Sequence, residues 1–265
     1  MNIFSNEALK DRHIIVTGAT GGIGYETAKE IVKAGGHVTI TGRNEEKLAD
    51  LKEECATING QAAVHVVKAD LNDADGRRTV VDEAVKEHGK IDGLVNSAGI
   101  IGGGPLEDLD EEELRNIMEL NFFSTVLFTQ SVFKHMKEVG GSIVNLSSLS
   151  GLRGTSGNTA YSGSKFAVTG FTQSFAHEAI EDGVRVNAVC PGYVDTEMGQ
   201  AAIRGKGERE GRSYEEQRQL AEQGIPSGRI STPEEVARTI VYLLSDAAGN
   251  IVGESMKISG GGVMR

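Results

Sequence analysis

Positive charge is in short supply in this chain. Lys and Arg number 27 against 38 Asp and Glu, for a net charge of −11. That balance argues against nucleic acid as a partner, because phosphate binding needs clustered cations, and against an anionic membrane surface. Cysteine is scarce too. Cys55 and Cys190 cannot build a disulfide framework and show no metal-ligand spacing, so no metal site is expected. No run approaches the roughly 18 apolar residues a membrane helix needs. The first residues, MNIFSNEALKDR, carry no apolar stretch of signal-peptide length. A reduced, cytoplasmic location is the expectation. Only four prolines occur. No Pro- or Ser-rich linker and no internal repeat divides the chain, so one domain is expected over residues 1–265.

What is present points to a soluble folded domain: 38% hydrophobic and 25% charged residues. Glycine is abundant, 35 of 265 residues, nearly twice the usual share of roughly 7%. Without a G-X-Y period, this excess signals tight turns or backbone that approaches a ligand closely. Apolar runs at Ile14–Thr17, Val38–Thr41, Val64–Lys68, Gly93–Asn96, Ile143–Leu146, Val184–Val189 and Glu254–Ile258 read as seven strands. Helix-period segments fill the gaps at Tyr25–Ala34, Glu45–Ile58, Asp75–His88, Glu111–Lys137, Thr159–Glu181 and Pro233–Ser245. Short strands alternating with helices predict βαβ units and a parallel sheet, an α/β fold. Apolar residues at consecutive strand positions predict a sheet covered on both faces.

The first strand runs into Thr17-Gly18-Ala19-Thr20-Gly21-Gly22-Ile23-Gly24 and then a helix. Such a turn offers backbone N–H groups and a helix N-terminus to a pyrophosphate. Gly18 would permit the turn, Gly22 the approach of phosphate, and Gly24 close packing of helix on strand. The spacing is GxxxGxG, not the GxGxxG of the common fingerprint, and a glycine set alone is also compatible with a packing turn. The second strand ends at Thr41-Gly42-Arg43, where an acidic residue would bind a ribose 2′-OH. Gly42 gives room and Arg43 a cation, which suits a 2′-phosphate and favours NADP(H) over NAD(H). Asp70-Leu71, after the third strand, would meet the adenine amino group or cap a helix.

Tyr161 and Lys165 stand one helical turn apart and share a helix face. A free phenol has a pKa of about 10. A nearby ammonium lowers it, so that the phenol can exchange a proton with a carbonyl or alcohol oxygen. Such a pair is also common on helix surfaces. Ser147-Ser148 ends the fifth strand, and a hydroxyl there would bond the substrate oxygen or cap the next turn.

Together these residues resemble the short-chain dehydrogenase/reductase family over essentially the whole chain. Thr17–Gly24 matches its TGxxxGxG motif. Asn96-Ser97-Ala98-Gly99 matches NNAG, with Ser97 in place of the second Asn. Asn121 falls at the helix Asn, Ser148 at the motif serine, Tyr161 and Lys165 at YxxxK, and Pro191–Thr196 at PGxxxT. Six motifs in the family's order are specific where one is not. The resemblance implies a single-domain, doubly wound Rossmann fold with a seven-stranded parallel sheet flanked by helices on both faces. It implies catalytic Asn121, Ser148, Tyr161 and Lys165. Tyr161 would be the general acid/base, Ser148 would orient the carbonyl, Lys165 would lower the phenol's pKa and hold the nicotinamide ribose, and Asn121 would hold a relay water. The cofactor would be bound by Gly18, Thr20, Gly22, Ile23, Gly24, Arg43, Asp70, Leu71, Asn96, Ala98, Gly99, Tyr161, Lys165, Pro191, Gly192, Val194 and Thr196. Thr196 and the Val194 backbone would take the carboxamide. The two long helices would form dimer faces in a homotetramer.

Gly199–Gly228 breaks the rhythm: it is charged and poor in core residues, either a solvated insertion or a lid. The family carries its substrate lid directly after PGxxxT, which places one at about residues 193–228, with Met198, Ala202 and Ile203 toward the ligand. Two classes of function are compatible with these residues. One is an NADP(H)-dependent oxidoreductase on a ketone or secondary alcohol. Its leading substrate is a 3-oxoacyl thioester, and a hydroxysteroid or polyol is the alternative. The other is a non-catalytic dinucleotide-binding protein, which would not need Asn121, Ser148, Tyr161 and Lys165 together. An acidic carrier would need a local basic patch, and Arg153, Arg204, Lys206 and Arg209 are the nearby candidates.

Overall fold

The computed structural model describes residues 6–264; residues 1–5 and 265 of the domain expected over 1–265 lie outside the described residues. Seven strands form one sheet in the order β3-β2-β1-β4-β5-β6-β7. They are β1 (His13–Thr17), β2 (His37–Gly42), β3 (Val64–Lys68), β4 (Gly93–Asn96), β5 (Gly141–Leu146), β6 (Val184–Pro191) and β7 (Ser255–Ile258). Every pairing is parallel. The order reverses beside β1, so the chain leaves the sheet in opposite directions from β1 and β4, and a crevice opens past their carboxyl ends.

Alternation along each strand divides the core in two. Ile14, Val16, Val95, Val144 and Val189 face one layer, with α1 (Gly22–Lys33), α2 (Glu45–Ile58) and α9 (Pro233–Leu244). Ile15, Leu94, Ile143 and Val186 face the other, with α3 (Ala74–His88), α5 (Ser124–Met136) and α6 (Thr159–Ala179). Because both faces are covered, all five residues of β1 are buried, as the unbroken apolar runs predict. The α/β class, the seven strands and the flanking helices agree with the sequence reading.

Two segments differ from it. The single helix expected over Glu111–Lys137 is α4 (Glu111–Met118) and α5 joined by a π turn at Glu119–Phe123, with Asn121 inside it. Such a one-turn widening is not coded by apolar period and occurs often at functional sites. The segment Gly199–Gly228 is not irregular: it forms α7 (Glu197–Arg209) and α8 (Tyr214–Gln223). Ser213 and Glu216 build a reciprocal capping box at the start of α8, a signal present in the sequence as S-x-x-E. Asp195 ties α8 down by accepting from the two terminal guanidinium nitrogens of Arg218, at 3.2 and 2.9 Å.

Candidate functional site

Past the carboxyl ends of the strands lies a pocket of about 860 Å³. It gathers residues from the turn after β1, the segment after β4, the β5–α6 region, the β6–α7 loop, the α7–α8 pair and the segment after β7. Among the expected site residues, Ile23, Gly99, Ser148, Tyr161, Lys165, Pro191, Gly192, Val194 and Thr196 line it.

The glycine-rich turn is shaped by contacts that exclude side chains. Gly18 has φ +62, and a Cβ there would stand 2.6 Å from the Ala98 nitrogen. A Cβ on Gly24 would stand 2.4 Å from the Gly18 oxygen, so α1 can close on the turn only with glycine there. Gly22 has a packing role as well: a Cβ there would stand 2.5 Å from the Thr196 methyl. It therefore lets the β6–α7 loop close on the turn. Thr17 fixes the other side, its hydroxyl accepting from Ser97 and Ala98 N–H at 3.1 and 3.2 Å. The N-cap of α1 is Gly21, with no side-chain cap. The first-turn N–H groups are thus left to an outside acceptor, as a pyrophosphate would be. This cradle fits a dinucleotide.

At the end of β2, a Cβ on Gly42 would stand 3.0 Å from the Thr20 methyl. Arg43 is 65% exposed, with the Asp70 carboxylate 3.9 Å away. Asp70 does not cap α3; Asp73 does, accepting from Asp75 and Gly76 N–H. The Asp70 carboxylate accepts from Asn72 N–H and remains exposed. The Leu71 side chain lies in the core, leaving only its backbone to a ligand. Asn96 also turns inward: its amide donates to Thr129 and Asn145, both at 2.8 Å. It holds the end of β4 in place, and the pocket is met by Ser97 and Gly99 instead.

Around the pocket floor, Lys165 is buried and donates to the Leu146 carbonyl at 2.8 Å. Desolvation pushes its ammonium down to about 8. Tyr161 is buried beside it, with the ammonium 5.7 Å from the ring centroid. Burial pushes the phenol above its ordinary value, with a hydrogen bond from Ser148 pulling the other way. The lowering expected from Lys165 does not figure in this balance; that ammonium is engaged by the Leu146 carbonyl, and loss of water dominates at the phenol. The Ser148 hydroxyl serves two ends: it faces the phenol and accepts from Ser150 N–H at 3.1 Å. Ser147 is structural, donating to the Lys165 carbonyl at 3.0 Å.

Asn121 stands one layer behind the pocket wall. A Cβ on Gly99 would stand 3.0 Å from its Oδ1 and 3.5 Å from Lys165 Nζ. Its side chain accepts from Ile100 N–H at 2.8 Å, and donates to the Ile100 carbonyl at 2.9 Å and Ser164 at 3.0 Å. Its carbonyl accepts from Thr125 at 3.0 Å. Ser164, Tyr193 and Cys190 were not singled out from the sequence. The Cys190 thiol is buried and pushed up by desolvation, with Ser147 its first hydrogen-bonding neighbour. A spacing rule for metal ligands has no purchase on such a residue. Of the expected ligand-facing residues, Met198 and Ala202 line the pocket, whereas Ile203 is a buried residue of α7. Of the four cations, Arg153, Lys206 and Arg209 line the pocket, and Arg204 lies over the Tyr214 ring instead.

A phenol, a hydroxyl and a buried ammonium gathered beside a dinucleotide cradle define the class: an oxidoreductase acting on hydroxyl or keto groups. The chain belongs to the short-chain dehydrogenase family, whose model matches residues 12–207, and the family binds a nicotinamide dinucleotide. It is 34% identical to 3beta-hydroxysteroid dehydrogenase 2 of Eggerthella lenta, over 97% of this chain and 96% of that one. It is 34% identical to 3-oxoacyl-(acyl-carrier-protein) reductase of Thermotoga maritima, over 96% and 98%. Among solved structures, a variant of actinorhodin polyketide ketoreductase with NADPH superposes with TM-score 0.92 at 32% identity, covering 96% of this chain and 98% of that one. No helix among the described residues is long and apolar enough to cross a membrane.

Proposed function

We propose that the protein is an NADP(H)-dependent carbonyl reductase that works reversibly on a ketone or secondary alcohol, with Tyr161 as general acid/base. The observation that carries this reading is the convergence of Tyr161, Ser148 and Lys165 on one pocket. When bound, the dinucleotide supplies or takes the hydride. The chain does the rest. Ser148 bonds the carbonyl oxygen, and Tyr161, kept protonated by burial, delivers a proton to it. Lys165 is mostly an ammonium at pH 7, with its pKa about 8, and returns positive charge to the phenol as the proton leaves. Asn121 pins the segment of Gly99 and Ile100 against Lys165, and it would hold a relay water.

Gly18, Thr20, Gly22, Ile23 and Gly24 would cradle the pyrophosphate. Asp70, Leu71, Asn96, Ala98 and Gly99 would position the adenosine side and the central ribose. Pro191, Gly192, Val194 and Thr196 would bracket the nicotinamide. The NADP preference rests on Arg43, on the absence of a carboxylate at the end of β2, and on the NADPH named for the ketoreductase neighbour. Residues 193–228 would act as the lid of a single catalytic domain. Leu114, Phe123, Leu127 and Phe166 expose apolar surface on α4, the π turn, α5 and α6, which supports a homotetramer built on these faces in the cytoplasm.

A 3-oxoacyl thioester is the leading substrate. A hydroxysteroid is the second reading, favoured by the apolar wall of Leu149, Met198 and Leu220. The test is NADPH oxidation against a ketone panel that holds both classes. Reduction by the wild type and none by Tyr161→Phe is the expected result. A silent wild type that still binds NADPH tightly would instead mark a dinucleotide-binding protein.

A further inference from the structure

The chain is acidic, yet among the described residues four cations line its pocket, Arg153, Lys165, Lys206 and Arg209, against one carboxylate, Glu210. That carboxylate is already paired with Arg212 and lies 4.0 Å from Lys206. Lys165 belongs to the floor. The other three stand at the outer wall, and two of them are unusual in the molecule. Every other arginine among the described residues is engaged by a carboxylate, a carbonyl or a ring. Arg153 and Arg209 have no such partner. Both act on the Tyr193 hydroxyl, pulling against the burial that raises its pKa. They come from separate elements: Arg153 from the loop after β5, Arg209 from the last turn of α7. The Arg209 Nε nevertheless reaches that loop, 3.9 Å from where a Cβ on Gly157 would stand.

An unpaired guanidinium in a protein so rich in carboxylates calls for an outside acceptor, and two that line one pocket call for the same one. The dinucleotide's own phosphates do not meet the need. Thr196, at the first end of α7, touches the glycine-rich turn. Arg209 lies at the other end of that 13-residue helix, about 20 Å away at roughly 1.5 Å per residue. A 2′-phosphate would lie by Arg43, on the opposite half of the sheet.

We propose that the outer wall of the pocket is an anion subsite. Arg153 and Arg209, which line this pocket together with Tyr193, hold a carboxylate or phosphate that the substrate carries away from its reacting carbon. The proposal rests on the redox reading of the same pocket and narrows it to carbonyl compounds with an anionic tail. Apolar residues toward the floor take the carbon chain, and the arginines fix its far end, which sets the carbonyl against Tyr161.

Matched pairs test it. A long-chain keto acid is compared with its methyl ester, and a 3-oxoacyl-CoA with the same acyl group on N-acetylcysteamine, using NADPH with the wild type and with Arg153→Ala/Arg209→Ala. The wild type should favour the anionic member by roughly tenfold or more in kcat/KM, chiefly through KM. In the double variant that ratio should fall toward one, while NADPH affinity is retained and shows the variant to be folded. The acid pair reports a carboxylate and the thioester pair a phosphate; preference in either supports the subsite and names its source. Equal kcat/KM within both wild-type pairs, or a preference that survives in the double variant, overturns the subsite and leaves the redox reading standing. If no member is reduced, the redox reading falls. Calorimetric titration of the same acids and esters then decides the subsite, with equal affinity overturning it.

Discussion

The two edges of the sheet bury ionisable groups in opposite ways. At the carboxyl edge, Lys165 and Tyr161 are desolvated but border a pocket of about 860 Å³. At the amino edge, His13 and His37 open β1 and β2 in direct register, and His88 closes α3. The His13 and His88 rings stack with centroids 3.9 Å apart, and those of His37 and His88 are 5.8 Å apart. His13 donates from Nδ1 to the Lys90 carbonyl at 2.7 Å, and its Nε2 accepts from Thr39 at 2.9 Å. Burial holds its pKa down to about 4 and lowers that of His88 as well. Both edges disfavour the charged form through desolvation. One is open to a ligand and keeps a proton available; at the other, the buried His13 is held neutral and serves packing. Burial of a titratable group therefore marks function only where a cavity adjoins it.

The contrast can be sharpened first at Tyr161. Replacement by Phe should lower kcat by roughly 10³-fold or more, since general acid catalysis contributes about 10²–10⁴. NADPH affinity, measured by fluorescence titration, should change little. Comparable losses in both would show that the tyrosine is structural and would erase the difference between the edges.

Acid should break the amino edge. The folded His13 pKa lies below its unfolded value, so its contribution to stability is present above about 6.5 and is lost as pH falls toward about 4. The shift corresponds to about 3 kcal/mol. Chemical denaturation at pH 7 and pH 4 should show wild type losing that much more than His13→Gln, which cannot titrate. Parallel pH profiles for the two proteins would contradict this account. The carboxyl edge should respond to base: carbonyl reduction should decline as pH rises through about 8, where Lys165 gives up its charge. A flat rate from pH 7 to 9.5 would rule out a role for that ammonium.

Arg43→Ala should weaken NADPH about tenfold and leave NADH nearly unchanged, because the charge-assisted bonds to a 2′-phosphate are worth about 1.5–3 kcal/mol. Equal use of both cofactors by the wild type would defeat the assignment. The smallest effect is expected for Arg218→Ala. Its pair with Asp195 is partly exposed, so global stability should fall by only about 1 kcal/mol or less. Proteolysis within α8 should nonetheless quicken, as that anchor is released.

Much of the fold was legible because its causes are local. Consecutive β-branched residues such as Ile14-Ile15-Val16, ending at a glycine turn, read as a strand covered on both sides, and Gly18, at φ +62, sits where an L side chain would be strained. Other features had a local signal that apolar counting passes over, such as the capping box that starts α8. The rest had none. The π turn around Asn121 depends on the partners that Ile100 and Ser164 offer across the fold. The inward turn of Asn96 depends on Thr129 and Asn145, from an adjacent helix and strand.

Residue order alone thus determined the strand–helix alternation, the places where only glycine fits and the identity of the groups able to carry protons. Backbone sterics and side-chain pattern act between near neighbours, which is why a linear string records them. Tertiary structure decided which of those groups share a space, which lose their water and which cations are left without a carboxylate. Solvation and charge pairing depend on distances between segments far apart in the chain, and those distances exist only once it has folded.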